Sequence, residues 1–132
     1  MQTFLPYSSF IESARCLDYR RLGKQRVEAR QILNALHRTT GGWVNHPAVR
    51  MWRGHEGSLV LYSNCMIAEW IRRGFKNSMP LLVPHEPIIP PPWLGNESFH
   101  LSHRSNLVRK EPKFYGKQWP DVSPDLPYVW PV

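Results

Sequence analysis

Cysteines and long apolar runs are scarce in this sequence. Only two cysteines, Cys16 and Cys65, occur among the 132 residues, which is too few for a disulfide framework and favours a reducing intracellular compartment. No apolar run approaches the roughly 18–20 residues that a membrane span needs. The first ten residues also lack the basic and then long apolar character of a secretory signal. We therefore expect a cytoplasmic protein.

Several catalytic signatures are absent as well. The sequence has no Gly-rich phosphate loop, no Gly-x-Ser-x-Gly elbow and no Cys-x-x-Cys pair, which excludes P-loop nucleotide hydrolysis and serine-type acyl transfer. His100 and His103 lie one helical turn apart, but zinc needs three or four ligands and no third ligand stands out. We expect no metal and no cofactor. A His-dependent metal nuclease stays an alternative, beside hydrogen bonding of these histidines to phosphate or to backbone.

Acidic residues are few relative to basic ones. Ten Asp and Glu residues stand against 17 Lys and Arg residues, which gives a formal net charge of +7. On so small a surface this positive field favours a polyanionic partner, with nucleic acid first and an acidic membrane second.

Proline is rare in the first 79 residues and frequent afterwards. Eleven of the 13 prolines lie between Pro80 and Pro131. Proline ends helices and offers no amide donor to a central strand. The sequence therefore predicts one compact all-α domain over residues 1–132. Residues 1–79 would form its helical core, and residues 80–132 a mostly irregular wrap with one short helix over 102–110 that Pro112 stops.

Helical spacing of apolar residues is clear in two segments, over residues 18–36 and 58–73. The apolar stripes consist of Leu22, Ala29, Leu33 and Leu36 in the first, and of Leu59, Tyr62, Met66 and Trp70 in the second. Asp18 suits the start of the first helix, and Gly74 suits a left-handed cap after the second. Pro47, after Asn45 and His46, predicts a short helix that Gly54 closes.

Basic residues are concentrated in two clusters. The first contains Arg15, Arg20, Arg21, Lys24, Arg26, Arg30 and Arg38, and the second contains His103, Arg104, Arg109, Lys110, Lys113 and Lys117 around Phe114 and Tyr115. Such clusters form either solvated faces or surfaces that bind phosphates without sequence preference. Aromatic residues among cations suit stacking on unpaired bases, or else they pack the proline-rich tail onto the core.

Glu28 is the carboxylate that we single out. It lies at the edge of the apolar stripe of the first long helix, with Arg21, Lys24 and Gln25 on nearby turns. Partial burial among cations suits a carboxylate with a chemical role. The alternative is a salt bridge to Lys24 at i−4.

The sequence resembles the pyrimidine-dimer DNA glycosylases, the family of the small all-helical phage endonuclease V and its bacterial relatives. The similarity lies in the shared order of several short segments, none specific alone, that span most of residues 1–117. These segments are Leu17-Asp18 with Leu22, Arg26-Val27-Glu28-Ala29, Gly41-Gly42-Trp43 with His46-Pro47, Trp70-Ile71-Arg72-Arg73-Gly74-Phe75, and Pro112-Lys113-Phe114-Tyr115-Gly116-Lys117. One valine separates Arg26 from Glu28, and an aromatic pair common just upstream of Pro112 is missing, which are departures from the family pattern.

The resemblance implies base excision by an N-terminal α-amine, which attacks the sugar C1′ and forms a Schiff base, after which β-elimination can cut the strand. Glu28 would stabilise the sugar cation and move protons. An α-amine suits this role because roughly a tenth of such groups are neutral at pH 7, against a few parts in ten thousand of unperturbed lysines.

The second residue departs from the family pattern. Relatives expose a small residue after losing their first methionine, whereas the bulk of Gln2 should block this removal. We therefore expect the α-amine of Met1 to act, with Lys24 as the fallback nucleophile and a glycosylase without lyase activity as the remaining alternative.

The expected partner is double-stranded DNA that contains a damaged or modified pyrimidine, bound by a monomer that needs neither a cofactor nor a membrane. Arg21, Arg26 and Arg30 would hold phosphates, while Phe114 and Tyr115 would line the distorted strand. The other expected DNA-binding residues are His46, Arg104, Lys113 and Lys117. A non-catalytic nucleic-acid-binding module on the same scaffold is the main alternative.

Overall fold

The protein is all-α in the residues that its computed structural model describes, which are 1–38, 40–84 and 87–132. Six helices and no strand occur in these ranges, so the predicted fold class is confirmed. The helices are α1 (Phe10–Cys16), α2 (Tyr19–Leu36), α3 (Pro47–Arg50), α4 (Glu56–Arg72), α5 (Glu97–Lys110) and α6 (Pro112–Gln118). Over the same ranges, no helix combines the length and the apolar character that crossing a bilayer requires.

Polar side chains define where four of the helices begin. Ser9, Asp18, His46 and Asn96 each accept a hydrogen bond from a backbone N–H in the first turn of the following helix. Asp18 therefore starts α2 as the sequence predicts. After α4, Gly74 takes the left-handed conformation with φ of +90°.

The C-terminal part contains more helix than the sequence predicts. Helix α5 begins at Glu97 rather than at Ser102, and Pro112 not only follows α5 but also starts α6 at its first position. The spacing of apolar residues does not reveal the full length of α5, because much of the buried face of this helix is polar. Its buried polar residues are His100, Ser102, His103, Ser105 and Asn106. Helix α1 was also not predicted.

The N-terminal segment is buried between the helices. Residues Thr3 to Pro6 are buried, and Leu5 is fully enclosed. Around them, α2 packs along α4, α1 packs on α4, and α6 packs on α5. The first residues of the chain therefore contact α2, α4 and α5, so that side chains of these three helices lie near the N-terminus.

Candidate active site

A cavity of about 230 Å³ opens beside the N-terminal segment. It is lined by Gln2, Phe4, Arg21, Lys24, Gln25, Glu28 and Lys110. Four larger cavities, of about 250, 350, 440 and 570 Å³, lie elsewhere. We regard the smaller cavity as the candidate active site because it alone among these five joins a carboxylate, several cations and the start of the chain.

Glu28 is half-buried at this cavity, and its partner is an amide. Gln25 Nε2 donates a hydrogen bond to Glu28 Oε2 at 2.9 Å. Lys24 and Glu28 form no ion pair, although the sequence allows one. Glu28 thus keeps one carboxylate oxygen outside this amide contact, toward a cavity that Arg21, Lys24 and Lys110 line.

Tyr62 of α4 lies directly behind this pair. Its hydroxyl is 2.6 Å from Gln25 Oε1 and 2.7 Å from the Phe4 carbonyl oxygen. Burial raises the pKa of Tyr62 well above its ordinary value, and the negative charge of Glu28 raises it further. The phenol is therefore a neutral hydrogen-bonding group at the floor of the site.

Two buried histidines of α5 hold the same N-terminal segment from the other side. His103 Nδ1 accepts a hydrogen bond from the Leu5 N–H at 3.0 Å. His100 Nε2 accepts from the Gly95 N–H at 2.9 Å, so its Nδ1–H donates to the Leu5 carbonyl oxygen at 2.8 Å. Burial lowers the pKa of His103 to about 3, helped by the neighbouring His100, so its ring stays neutral and accepts.

Both histidines therefore hydrogen-bond to backbone groups. The sequence left open whether they would bond to backbone or to phosphate. Among the residues in the described ranges, no group of three or more His, Cys, Asp or Glu side chains is placed to hold a metal ion. The geometry of His100 and His103 therefore gives no support to the metal-nuclease alternative.

His46 marks the position of the N-terminus. Its Nδ1 accepts a hydrogen bond from the Ala48 N–H at 3.0 Å, which caps α3. Burial lowers the pKa of His46, and the positive charge of the Met1 α-amino group lowers it further, so the two groups are neighbours. Trp43 and Trp130 lie against the His46 ring, with centroids 5.5 and 6.3 Å away.

Three other residues of the expected DNA-binding set lie on the exposed side of α6. They are Lys113, Phe114 and Lys117. Helix α6 is attached to the start of α2 because the Asp18 N–H donates to the Tyr115 hydroxyl at 2.9 Å, while that hydroxyl donates to the Asp18 carboxylate. Helix α6 therefore lies against the start of α2, which carries Arg20 and Arg21, and does not form a separate tail.

The structure does not bring the remaining expected residues to this surface. Tyr115 is fully buried, and Arg104 donates to the Pro6 carbonyl oxygen and pairs with Glu97. Arg26 stacks on Trp70 at 4.2 Å and donates to Asn77, while Arg30 donates to the Pro80 carbonyl oxygen. Tyr115 therefore packs against the core, which is one of the two roles that the sequence allowed for the C-terminal aromatic residues.

Sequence reasoning missed the roles of Gln25 and Tyr62 and did not single out Lys110. The signal for Gln25 was present, because it is the polar residue between Leu22 and Ala29 on the buried stripe of α2. Tyr62 gave no such signal, because a tyrosine fits the apolar stripe of α4 in any case.

Comparison with known proteins agrees with the residue-level resemblance. The family model described as pyrimidine dimer DNA glycosylase matches residues 1–83 of the 132, a range that contains α1 to α4 and therefore Gln25, Glu28 and Tyr62. No curated protein and no solved structure matches the chain significantly. The match covers more than half of the sequence, and so the chain belongs to the pyrimidine dimer DNA glycosylase family.

Proposed function

We propose that this chain removes a damaged pyrimidine from duplex DNA with the Met1 α-amine as nucleophile and Glu28 as the group that handles charge and protons. Family membership implies pyrimidine dimer glycosylase function. The observation that carries the finer assignment is the shared amide of Gln25. It donates both to the carbonyl oxygen of Gln2, the residue after the nucleophile, and to Glu28.

The reaction balances with these two groups alone. The neutral amine nitrogen bonds to the sugar C1′ as the bond from C1′ to the base breaks, and the base leaves with that electron pair and gains a proton. The nitrogen loses a proton, and the sugar ring then opens as O4′ leaves C1′ with the electron pair of their bond and gains a proton, which gives an iminium between the amine and C1′. Removal of a proton from C2′ then expels the 3′ phosphate, which cuts the strand.

Glu28 has a distinct task in each part of this sequence. Its carboxylate stabilises the positive charge that develops on the sugar as the base departs, which is electrostatic stabilisation at the reacting centre. Its oxygen can also take a proton from the amine or from C2′. The three cations of the cavity wall, Arg21, Lys24 and Lys110, suit the phosphates on either side of the lesion.

Lys24 also lines the cavity, so the test must separate two amines. Borohydride reduces the iminium and traps the protein covalently on abasic DNA. Extending the N-terminus by one or two residues keeps an α-amine but moves it by up to about 3.5 Å per residue, which is too far for reaction. We expect this extension to abolish trapping and an equal C-terminal extension to preserve it.

Lys24→Gln removes the second amine of the cavity. We expect borohydride still to trap this variant on abasic DNA. Intact mass of the untagged protein should show Met1 retained with a free amine. Full trapping by an N-terminally extended protein that is verified to be uncleaved would contradict the Met1 assignment. Excision without any trapping would indicate a glycosylase that uses water, and binding without excision would indicate a non-catalytic module.

A further inference from the structure

Gln25 is a buried amide in the middle of an apolar helix face. Only 1% of its surface is exposed, and it lies between Leu22 and Ala29, which are both fully buried. Burying an amide without partners is unfavourable because it loses its hydrogen bonds to water, so a side chain in this place has to be hydrogen-bonded.

All four hydrogen-bonding positions of this amide are occupied. Its Nε2 donates to the Gln2 carbonyl oxygen at 3.0 Å and to Glu28 Oε2 at 2.9 Å. Its Oε1 accepts from the Phe4 N–H at 3.0 Å and lies 2.6 Å from the Tyr62 hydroxyl, whose single proton is shared with the Phe4 carbonyl oxygen at 2.7 Å. A primary amide offers two N–H donors and two oxygen lone pairs, so nothing is left over for a ligand.

The partners also dictate which way the amide points. The Phe4 N–H is a donor and must face oxygen, whereas the Gln2 carbonyl and the Glu28 carboxylate are acceptors and must face nitrogen. A flipped amide would set oxygen against two acceptors. The backbone groups of Phe4 and Gln2 therefore determine that Gln25 presents its N–H groups to the chain start and to Glu28.

We propose that Gln25, oriented by the backbone groups of Gln2 and Phe4, is a positioning residue that holds the nucleophile-bearing chain start and Glu28 in one fixed relation. This inference rests on the proposed function, because it assigns the two positioned groups the roles of nucleophile and acid–base group. Gln25 itself does not touch DNA. It acts through a backbone carbonyl one residue from Met1 and through a carboxylate oxygen.

The expected effect of losing this relation is large for chemistry and small for binding. Misplacement of a reacting group by about 1 Å can cost on the order of 10²-fold in rate. The cations that suit phosphates do not bond to Gln25 in the structure, so affinity for DNA should persist. A residue that merely stabilised the fold would instead lower the melting temperature and leave the rate of the folded fraction unchanged.

The most informative variant is Gln25→Glu, because it has nearly the same shape and can regain a donor. At neutral pH the introduced carboxylate would set a negative oxygen against Glu28 and the Gln2 carbonyl. Burial and the adjacent carboxylate both favour its protonated form, so lowering the pH restores one O–H donor. The charged or titratable groups around this position are Glu28, Arg21, Lys24, Lys110 and Tyr62.

Single-turnover excision from a duplex with one cyclobutane thymine dimer, measured from pH 5 to pH 8, gives the readout. For Gln25→Glu we expect a loss of about 10- to 100-fold at neutral pH that shrinks, relative to wild type, as the pH falls. Gln25→Met, which has no donor, should lose a similar factor at every pH. Dissociation constants for the DNA should stay within about twofold. Gln31→Met, at an exposed position on the same helix, should behave as wild type.

The Gln25 series is measured beside wild type and Glu28→Gln. Suppose that wild type is active and Glu28→Gln is inactive. Either full activity of Gln25→Met or a pH-independent loss in Gln25→Glu would then overturn the positioning role alone. A wild type that neither excises nor is trapped would overturn the proposed function instead. If the Gln25 variants fail to fold, Tyr62→Phe removes the hydroxyl that contacts Gln25 Oε1 and the Phe4 carbonyl oxygen and should lower the rate with unchanged affinity. An unchanged rate would again overturn the positioning role.

Discussion

At the scale of single residues, the structure distinguishes side chains that serve the cavity from those that serve the fold. Glu28 meets an amide instead of a cation, while Glu69 of α4 meets two guanidinium groups. Both are glutamates on helices with basic neighbours, so sequence spacing alone does not tell them apart. The difference is that Glu69 has its carboxylate saturated by Arg72 and Arg73, whereas Glu28 accepts from an amide and lines the cavity beside the N-terminal segment.

Replacing Glu28 tests its chemical role. We expect Glu28→Gln to keep the fold and DNA affinity but to lower single-turnover excision by about 10²–10⁴-fold, because the amide can neither stabilise the sugar cation nor accept a proton. Glu12→Gln, at an exposed position in α1, is the matched control and should be neutral. Excision by Glu28→Gln at the wild-type rate would remove Glu28 from the mechanism.

Glu69 should instead control stability in acid. Hydrogen bonds from Arg72 first, and then from Arg73, outweigh burial and lower the pKa of Glu69 from 4.5 to about 2. Because the pKa is lowered, the contribution to stability is complete above pH 4.5 and disappears as the pH falls toward 2.

We therefore expect Glu69→Gln to lower the free energy of unfolding by about 1–2 kcal/mol at pH 7, a modest value because Arg72 is mostly exposed and screened. The gap between wild type and variant should close as the pH falls from 4.5 toward 2. Urea unfolding at a series of pH values measures this. A gap that stays constant over that range would contradict the assignment.

At the scale of helices, the contact between α2 and α4 depends on one close approach. A Cβ on Gly23 would lie 3.0 and 3.1 Å from two ring carbons of Trp70. The ring has little freedom to move, because its Nε1 donates to the Lys76 carbonyl oxygen at 2.7 Å and Arg26 and Phe75 stack on it. Gly23 thus lets the helix that carries Glu28 lie close to the helix that carries Tyr62.

Two glycine-to-alanine changes separate this packing effect from helix propensity. Gly116→Ala in α6, where a Cβ would meet nothing within 4 Å, should stabilise the protein by up to about 1 kcal/mol. Gly23→Ala gains the same propensity but crowds Trp70, and should be at least about 1 kcal/mol less stable than Gly116→Ala. Thermal or urea unfolding of both variants gives the comparison, and equal stabilisation by both would show that Trp70 yields without cost.

At the scale of the whole molecule, three cations line the candidate active-site cavity: Arg21, Lys24 and Lys110. Arg20, Lys24, Lys110, Lys113 and Lys117 are exposed cations on α2, α5 and α6. Helix α6 joins this group through Tyr115 and Asp18, which lie far apart in the sequence. The net charge of +7 therefore includes a local field beside the candidate active site.

This field predicts a strong dependence of DNA binding on salt. If about five phosphates are contacted, log K should fall against log salt with a slope of about −4 to −5. Replacing both Lys113 and Lys117 by Gln should make this slope less negative by about 2, because each lost phosphate contact changes the slope by about 0.9. Fluorescence anisotropy over a salt series measures the slope.

Arg38→Gln together with Arg50→Gln provides the control. These two exposed arginines lie beyond the C-terminal end of α2 and at the end of α3, the former about 22 Å or more from Arg21 at 1.5 Å per residue. We expect their removal to leave the slope nearly unchanged. A wild-type slope shallower than about −1 would mean that the charge serves solubility instead of DNA binding.

The sequence by itself determined what depends on neighbours along the chain. Apolar spacing and caps predicted α2 and most of α4, proline predicted the start of α3, and short ordered segments identified the family. The stripe of α2 also placed Glu28 at the boundary between core and solvent. These features follow from local geometry, which a helix repeats every 3.6 residues.

Only the tertiary structure decided which distant residues meet. The contacts of Gln25 with Gln2, Phe4 and Tyr62 join positions up to 37 residues apart, and those of Leu5 with His100 and His103 join positions up to 98 apart. A hydrogen bond of this kind leaves no periodic trace, since its partners are chosen by packing and by the need to pair buried polar groups. For the same reason α5, whose buried face is largely polar, was underestimated, whereas the apolar helices were not.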